Sequence, residues 1–267
     1  MKKVVPPLKW PGGKRWLVRD YAHLLSKNDQ RFVEPFAGSA AVFFCLQPTT
    51  AWLNDVNRDL INVYHQLKHD WERIYLLLLE HQRDHSTGFY YEMRAYLPDD
   101  LADQAARFIY LNRTCFNGIY RVNLQGVFNV PIGTKSTVIS DKDDFETISQ
   151  LLKGAELSAY DFEQVIEQCG EGDFLFVDPP YTVKHNMNGF LKYNENLFAW
   201  SDQVRLRESL VKARIRGADV LVCNANHESI ISLYDEIASE ITVLSRHSVI
   251  AANAKTRRVT TEVMIRL

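Results

Sequence analysis

Apolar and polar positions alternate along this chain in short blocks that change period. Arg31-Phe32-Val33-Glu34 opens a short apolar strand that runs into Pro35-Phe36-Ala37-Gly38, and residues 39–46 then take up helical spacing. Ala51-Trp52-Leu53-Asn54 predicts a second strand, ending in Asp55, with a helix following through Asn62 to Leu67. Residues 70–113 carry no strand pattern; Trp71, Ile74, Tyr75, Leu78 and Leu79, then Ala105, Phe108, Ile109 and Leu111, recur at helical spacing. Residues 114–142 read as loop, with Asn117-Gly118 and Gln125-Gly126 as turn signals. Alternation resumes with a strand over 156–160, a helix over 162–168, a strand over 173–177, a polar loop over 182–197, a helix over 202–215, a strand over 219–223 and a helix over 227–235. Two strand-like runs, 241–250 and 259–266, close the chain.

Strands separated by helices predict an α/β fold with a mostly parallel, doubly wound sheet, and the last two runs supply an antiparallel hairpin at one edge. The interval 57–142 interrupts that alternation and is expected to be a mostly helical insertion in a core formed by 1–56 and 143–267. A chain of 267 residues can bury such a core together with a smaller module. Neither internal repeats nor low-complexity tracts complicate the division.

Composition narrows the setting. Cys45, Cys115, Cys169 and Cys223 are scattered without Cys-x-x-Cys spacing, which argues against a zinc site and a disulfide framework and fits a reducing cytoplasm. No apolar stretch approaches the roughly 18 residues of a membrane span, and no signal-peptide pattern opens the chain. The formal net charge of −2 is unusual for a nucleic-acid binder. Basic residues are nevertheless grouped: Arg205, Arg207, Lys212, Arg214 and Arg216 on one predicted helix, and Lys255, Arg257 and Arg258 near the C-terminus. By itself, either group reads as a solvated face.

The chemistry concentrates in Phe174-Leu175-Phe176-Val177-Asp178-Pro179-Pro180-Tyr181. Four apolar residues make a buried strand, and two prolines forbid its continuation because neither can donate to a ladder. Asp178 is thereby placed at the C-terminal edge of the sheet, where open parallel sheets bind ligands. A carboxylate and the adjacent Pro179 carbonyl, both accepting from an exocyclic amine, draw its nitrogen toward tetrahedral geometry and free a lone pair otherwise delocalised into the ring. Tyr181 offers a flat face for a base, and no covalent protein intermediate is required. The bland alternative is a proline-stiffened turn.

Phe32 to Gly38, which includes Glu34 and Phe36, forms a strand and a small-residue turn before a helix. A nicotinamide fingerprint needs three spaced glycines, and only Gly38 is present. Asp55, at the end of the next strand, suits ribose hydroxyls, so the pair suggests an adenosine-containing cofactor. Lys9-Trp10-Pro11-Gly12-Gly13-Lys14 resembles half a phosphate loop without its Ser/Thr; a glycine turn at a helix start beside Lys14 suits a carboxylate instead. The pairs His65/His69 and His81/His85 lack the intervening Glu of a zinc motif and read as solvated surface, with no metal expected.

Taken in order, Lys9 to Lys14, Phe32 to Gly38, Leu53-Asn54-Asp55, Asn112-Arg113 through Pro131-Ile132-Gly133, and Asp178 to Tyr181 resemble the Dam-type (D12 class, alpha group) DNA adenine-N6 methyltransferases. The resemblance spans nearly the whole chain. It implies a Rossmann-like methyltransferase sheet, S-adenosyl-L-methionine as methyl donor, duplex DNA as partner, base flipping, and a recognition role for 57–142 with a hairpin near 114–133. By position it implies cofactor contacts at Trp10, Lys14, Asp55 and Asp178, with Asp161-Phe162 near the cofactor adenine; Glu34, Phe36 and Gly38 join them. Catalysis falls to Asp178, Pro179, Pro180 and Tyr181.

Within the hairpin, Arg121 is suited to guanine O6 and N7, Phe116 to wedging beside an extruded nucleotide, and Ile119 and Pro131 to a thymine methyl. Lys9 would hold an outer guanine, and Asn117 and Asn123 complete the expected DNA contacts. GATC is the expected target. Departures from the family are Phe116, where tyrosine is frequent, and Tyr120 and Val122, where Cys and Tyr are usual. The alternatives left open are a cytosine-N4 or RNA methyltransferase, or a silent DNA-binding regulator; a restriction or defence partner is undetermined.

Overall fold

A computed structural model of the chain describes residues 4–25, 29–123, 126–183, 198–247 and 259–267. The basic residues Lys255, Arg257 and Arg258, most of the polar loop expected at 182–197, and positions 248–250 lie outside the described residues. The fold is mixed α/β, with a mostly parallel sheet of seven strands whose C-terminal strands are antiparallel. Two compact units form, residues 1–27 with 37–159, and residues 28–36 with 160–267.

In the first unit, strands β2 (Ala51–Asn54) and β3 (Ala155–Ser158) pair in parallel. Its helices are α1 (Arg15–Asp20), α2 (Ala41–Leu46), α3 (Arg58–His69), α4 (Trp71–Asp84), α5 (Thr87–Ala95), α6 (Leu101–Thr114) and α7 (Phe145–Lys153). Helix α3 buries Leu60, Val63, Tyr64 and Leu67, the i, i+3, i+4, i+7 stripe of an amphipathic helix, and packs on α6 and α7. Asn57, Asp70, Ser86, Asp100 and Asp144 each accept a backbone N–H in the first turn of the helix that follows, which explains where α3 to α7 begin. Helix α7 lies where the pattern suggested no element. Its signals are the Asp144 cap and the Phe145, Ile148, Leu152 spacing, too short a run to stand out.

The second unit holds β1 (Arg31–Glu34), β4 (Asp173–Val177), β5 (Asp219–Ala225), β6 (Glu240–His247) and β7 (Val259–Arg266), in the order β1-β4-β5-β7-β6. Strands β1, β4 and β5 are parallel, with Phe32 opposite Phe174 and Leu175 opposite Val220; β7 runs antiparallel to both β5 and β6. Every residue of β4 is buried, as expected for a central parallel strand. Its helices are α8 (Phe162–Ile166), α9 (Trp200–Ile215) and α10 (Glu228–Tyr234).

The histidine reading needs correction at one pair. His81 is half-buried against Phe89 and Tyr110, and His85 Nδ1 lies 2.8 Å from the Tyr110 hydroxyl, so these rings pack on the helical core instead of facing solvent. The basic helix α9 also differs from a uniformly solvated face: Arg205 is tied to three carboxylates, and Arg216, at the cap just past its end, donates to the Cys169 and Ile166 carbonyls.

Arg113 ties the end of α6 to the chain leading into α7. Its guanidinium makes two bonds to Asp143, at 2.6 and 2.9 Å, and also donates to the Val138 and Pro7 carbonyls. Both partners are about nine-tenths buried, so removing the cation strands a desolvated carboxylate. Arg113→Ala is expected to cost about 3–5 kcal/mol, read as a lower urea midpoint at unchanged slope.

Candidate active site

The turn after β1 enters the first unit at Ala37, and the conformation of Gly38 is what shapes it. Gly38 has φ +48°, and a Cβ there would sit 2.6 Å from Trp10 Cδ1, so backbone and indole touch only because a side chain is missing. Asp55 holds this turn: its two carboxylate oxygens each accept one backbone N–H at 3.0 Å, from Gly38 and from Asn57. The Tyr64 hydroxyl closes the other side by donating to the Gly38 carbonyl at 2.6 Å. Burial pushes the Asp55 carboxyl up, and the two N–H bonds oppose that shift. Gly13 lies against Ser39, and buried Lys14 donates to the Gly12 carbonyl at 2.9 Å. The structure thus gathers Trp10, Lys14, Gly38 and Asp55.

In the second unit, Phe36, Phe162 and Phe198 form an aromatic cluster with ring centroids 5.4 to 5.7 Å apart. Arg205 lies 4.2 Å above the Phe162 ring and bonds both oxygens of Asp161. Asp161 also caps α8 by accepting the Glu163 N–H. Burial raises this carboxyl, but Arg205 and the Glu163 N–H outweigh it and hold Asp161 below its ordinary value. Sequence reasoning found Asp161 and Phe162 by resemblance and missed Phe198 and Arg205, whose partners are about 40 residues away.

Glu34, at the end of β1, is buried. Beyond Val177, Asp178 and Pro180 are half-buried and Pro179 is buried. Gln203 of α9 donates to the Pro180 carbonyl at 3.3 Å and is itself held by Asn224 at 3.2 Å. The Tyr181 hydroxyl donates to Glu262 at 2.5 Å, and Thr182 donates to the Phe198 carbonyl at 2.6 Å. Burial first, then the nearby Cys223, Asp178 and Glu262, push the Tyr181 phenol well above its ordinary value, so it stays protonated. Gln203, Asn224 and Glu262 escaped the sequence reading. For Glu262 the signal was one acidic residue amid the apolar positions of a strand.

The segment 114–133 belongs to the first unit. Bridges Cys115 to Ile132 and Val122 to Phe128 make it an irregular hairpin. Phe116, Asn117, Arg121, Asn123 and Pro131 are exposed, and Ile119 is half-buried. Asn123 accepts the Val127 N–H at 3.0 Å and so stabilises the tip. Tyr120, one of the departures, turns inward: its ring lies 4.0 Å from Phe108 and 6.1 Å from Trp10, nearly parallel to both. This packing fixes the backbone that carries Arg121.

A family model described as D12 class N6 adenine-specific DNA methyltransferase matches residues 10–250. The chain belongs to that family. It is 37% identical over 240 residues to a type II methyltransferase of Lactococcus lactis subsp. cremoris, covering 86% of this chain and 84% of the relative. A type II methyltransferase of Methanocaldococcus jannaschii is 34% identical, over 84% and 85% of the two chains. The DNA adenine methylase of Escherichia coli K12 is 27% identical, over 99% and 95%. Membership makes this an adenine-specific DNA methyltransferase and implies S-adenosyl-L-methionine as donor and DNA as substrate. Among the described residues no helix is long and apolar enough to cross a membrane.

Lys9 of this methyltransferase sits in an unusual electrostatic setting. Asn112 clamps its main chain from both sides, accepting at 3.0 Å and donating at 2.8 Å. Gly118, at φ +65°, lets the lysine stem pass where a Cβ would be 2.7 Å from its Cδ. Burial, then Lys135 and Arg15, lower the ammonium from 10.5 to about 8. The unfolded chain therefore binds more protons than the folded one between about pH 8 and 10.5, and this group's contribution to stability rises with pH across that window. Lys135→Ala is expected to move the Lys9 titration upward, as followed by carbon NMR of the lysine side chains; an unmoved midpoint would disprove the coupling.

Proposed function

We propose that this chain methylates adenine N6 within GATC in duplex DNA, acting on a base rotated out of the helix. The observation that carries the reading is the end of β4: an acidic residue on a fully buried strand, a double-proline stop, and an aromatic ring whose hydroxyl is tied down. Asp178 accepts one N–H of the target amine, the Pro179 carbonyl accepts the other, Pro180 stiffens the loop, and Tyr181 supports the base by stacking. S-adenosyl-L-methionine, when bound, supplies an electrophilic methyl on sulfur. Asp178 keeps the amine lone pair directed outward; the N–C bond would form as the methyl–sulfur bond breaks with its electron pair left on sulfur, and the surplus proton on nitrogen would pass to the Asp178 carboxylate.

The residues assigned to the donor fit its chemistry. Gly38 lets the Trp10 indole lie directly against the turn, Asp55 retains acceptor positions beyond the two N–H bonds it receives, and Lys14 supplies a cation for the methionine carboxylate. Phe36 and Phe162 suit an adenine face, with Asp161 and Glu34 as polar neighbours and Asp178 at the methyl end. The recognition part is assigned to 57–142 and the catalytic part to 1–56 and 143–267. Exposure of Arg121, Phe116, Asn117, Asn123 and Pro131, with Ile119 and Lys9 alongside, supports DNA reading by the hairpin.

Labelled S-adenosyl-L-methionine and adenine-unmethylated DNA, followed by digestion to nucleosides, tests the reading; label in N4-methylcytosine instead of N6-methyladenine would overturn it. Asp178→Ala is expected to slow transfer by about 100-fold or more while leaving DNA affinity nearly unchanged, because the carboxylate acts on the amine and makes no phosphate contact. Arg121→Ala is expected to relax one guanine position by about 1–3 kcal/mol, seen by sequencing methylated sites in cells expressing the variant.

A further inference from the structure

Behind the catalytic loop the second unit buries a polar triangle that the reading above does not use. Glu262 lies on β7, paired with Ala225 of β5 on one side and Leu244 of β6 on the other, and it is 2% exposed. A carboxylate in the interior of a sheet is costly unless strong hydrogen bonds compensate. Its Oε2 accepts from the Tyr181 hydroxyl at 2.5 Å, the short end of charge-assisted O–H···O bonds. Cys223 Sγ stands 3.5 Å from both that oxygen and the phenol oxygen. Tyr181 is therefore gripped at its far end by a strand some 80 residues away, while Gln203 secures the preceding Pro180 carbonyl.

We propose that Glu262 is a positioning residue for methyl transfer, setting the plane of the Tyr181 ring and enriching that ring in electron density through the hydrogen bond it accepts. The inference rests on the reading of Asp178 to Tyr181 as the amine-activating element. Two consequences follow from the physics of the bond. A fixed ring holds the base in one orientation relative to Asp178, and ordering that is already present in the protein need not be supplied during reaction. An electron-rich face also favours a base whose amine becomes cationic as the methyl arrives. Both effects act on the transition state more than on DNA binding, so they belong in kcat.

The experiment uses the full-length protein, labelled S-adenosyl-L-methionine and a duplex containing GATC, comparing wild type, Glu262→Gln, Tyr181→Phe and the double variant. Glutamine matches glutamate in shape and leaves no buried charge, so it preserves the fold while weakening the bond; thermal melting checks this. Glu262→Gln is expected to lower kcat by about tenfold with the KM for DNA little changed, and to have no further effect once Tyr181 is phenylalanine. Full activity of Glu262→Gln, or an equal loss from it in the Tyr181→Phe background, would overturn the role of Glu262 while leaving the catalytic reading intact. Absence of N6-methyladenine with the wild-type protein would overturn both. Should Glu262→Gln not fold, Tyr181→Phe alone decides: a wild-type kcat overturns the inference and a lowered one with unchanged KM supports it.

Discussion

A peptide bond whose nitrogen carries no hydrogen cannot extend a sheet, and in this protein two such bonds follow one another just beyond β4, a strand buried along its whole length. Strand β4 pairs with β1 up to Leu175 and with β5 up to Val177, and Pro179 and Pro180 have no donor with which to carry either ladder further. The loop that results has to be held by side chains instead of a ladder. Gln203 takes the Pro180 carbonyl, Glu262 takes the Tyr181 hydroxyl and Thr182 takes the Phe198 carbonyl. Each anchor comes from a different element, so the loop is fixed from several directions while Asp178 stays at the strand end, where an acceptor is useful.

The first unit solves a related problem with a missing side chain. At Gly38 the backbone is left-handed, which glycine adopts without strain, and it lies in contact with the Trp10 indole; bonds to Asp55 and Tyr64 hold the turn in place. The same indole stacks beside Tyr120, which in turn lies on Phe108 and Phe128. One aromatic column therefore runs from the glycine turn to the base of the irregular hairpin. The Tyr120 ring fills the space between Trp10, Phe108 and Phe128. The hairpin itself has little regular pairing, so this apolar column adds to the few backbone bonds that hold it.

Much of this was legible from the chain alone. Strands β1, β2, β4 and β7 begin and end where alternation and proline placed them, and the helical character of 70–113 follows from its apolar spacing. Short elements were harder. Helix α7 has barely two turns of pattern, and its Asp144 cap stands among several acidic and polar residues that look alike in sequence. The basic residues of α9 read as one solvated group because charge is visible in sequence and partners are not. Only folding reveals that Arg205 faces Asp161 and that Arg216 faces the end of α8.

The sequence by itself determined the α/β class, the ends of β1, β2, β4 and β7, the double-proline stop and, through ordered motifs, membership of the adenine methyltransferase family. These are properties of local periodicity, of residues with restricted backbones, and of short motifs in a fixed order, all of which are written in neighbouring positions. Tertiary structure decided which side chains meet across the chain: Glu262 with Tyr181, Arg205 with Asp161, Asp55 with Gly38, and Tyr120 with Trp10. Such contacts join residues 17 to 110 positions apart, and no local pattern encodes them. They depend on how each unit folds its strands and helices into one core, where a carboxylate or a ring is held by whatever partner the packing brings within reach.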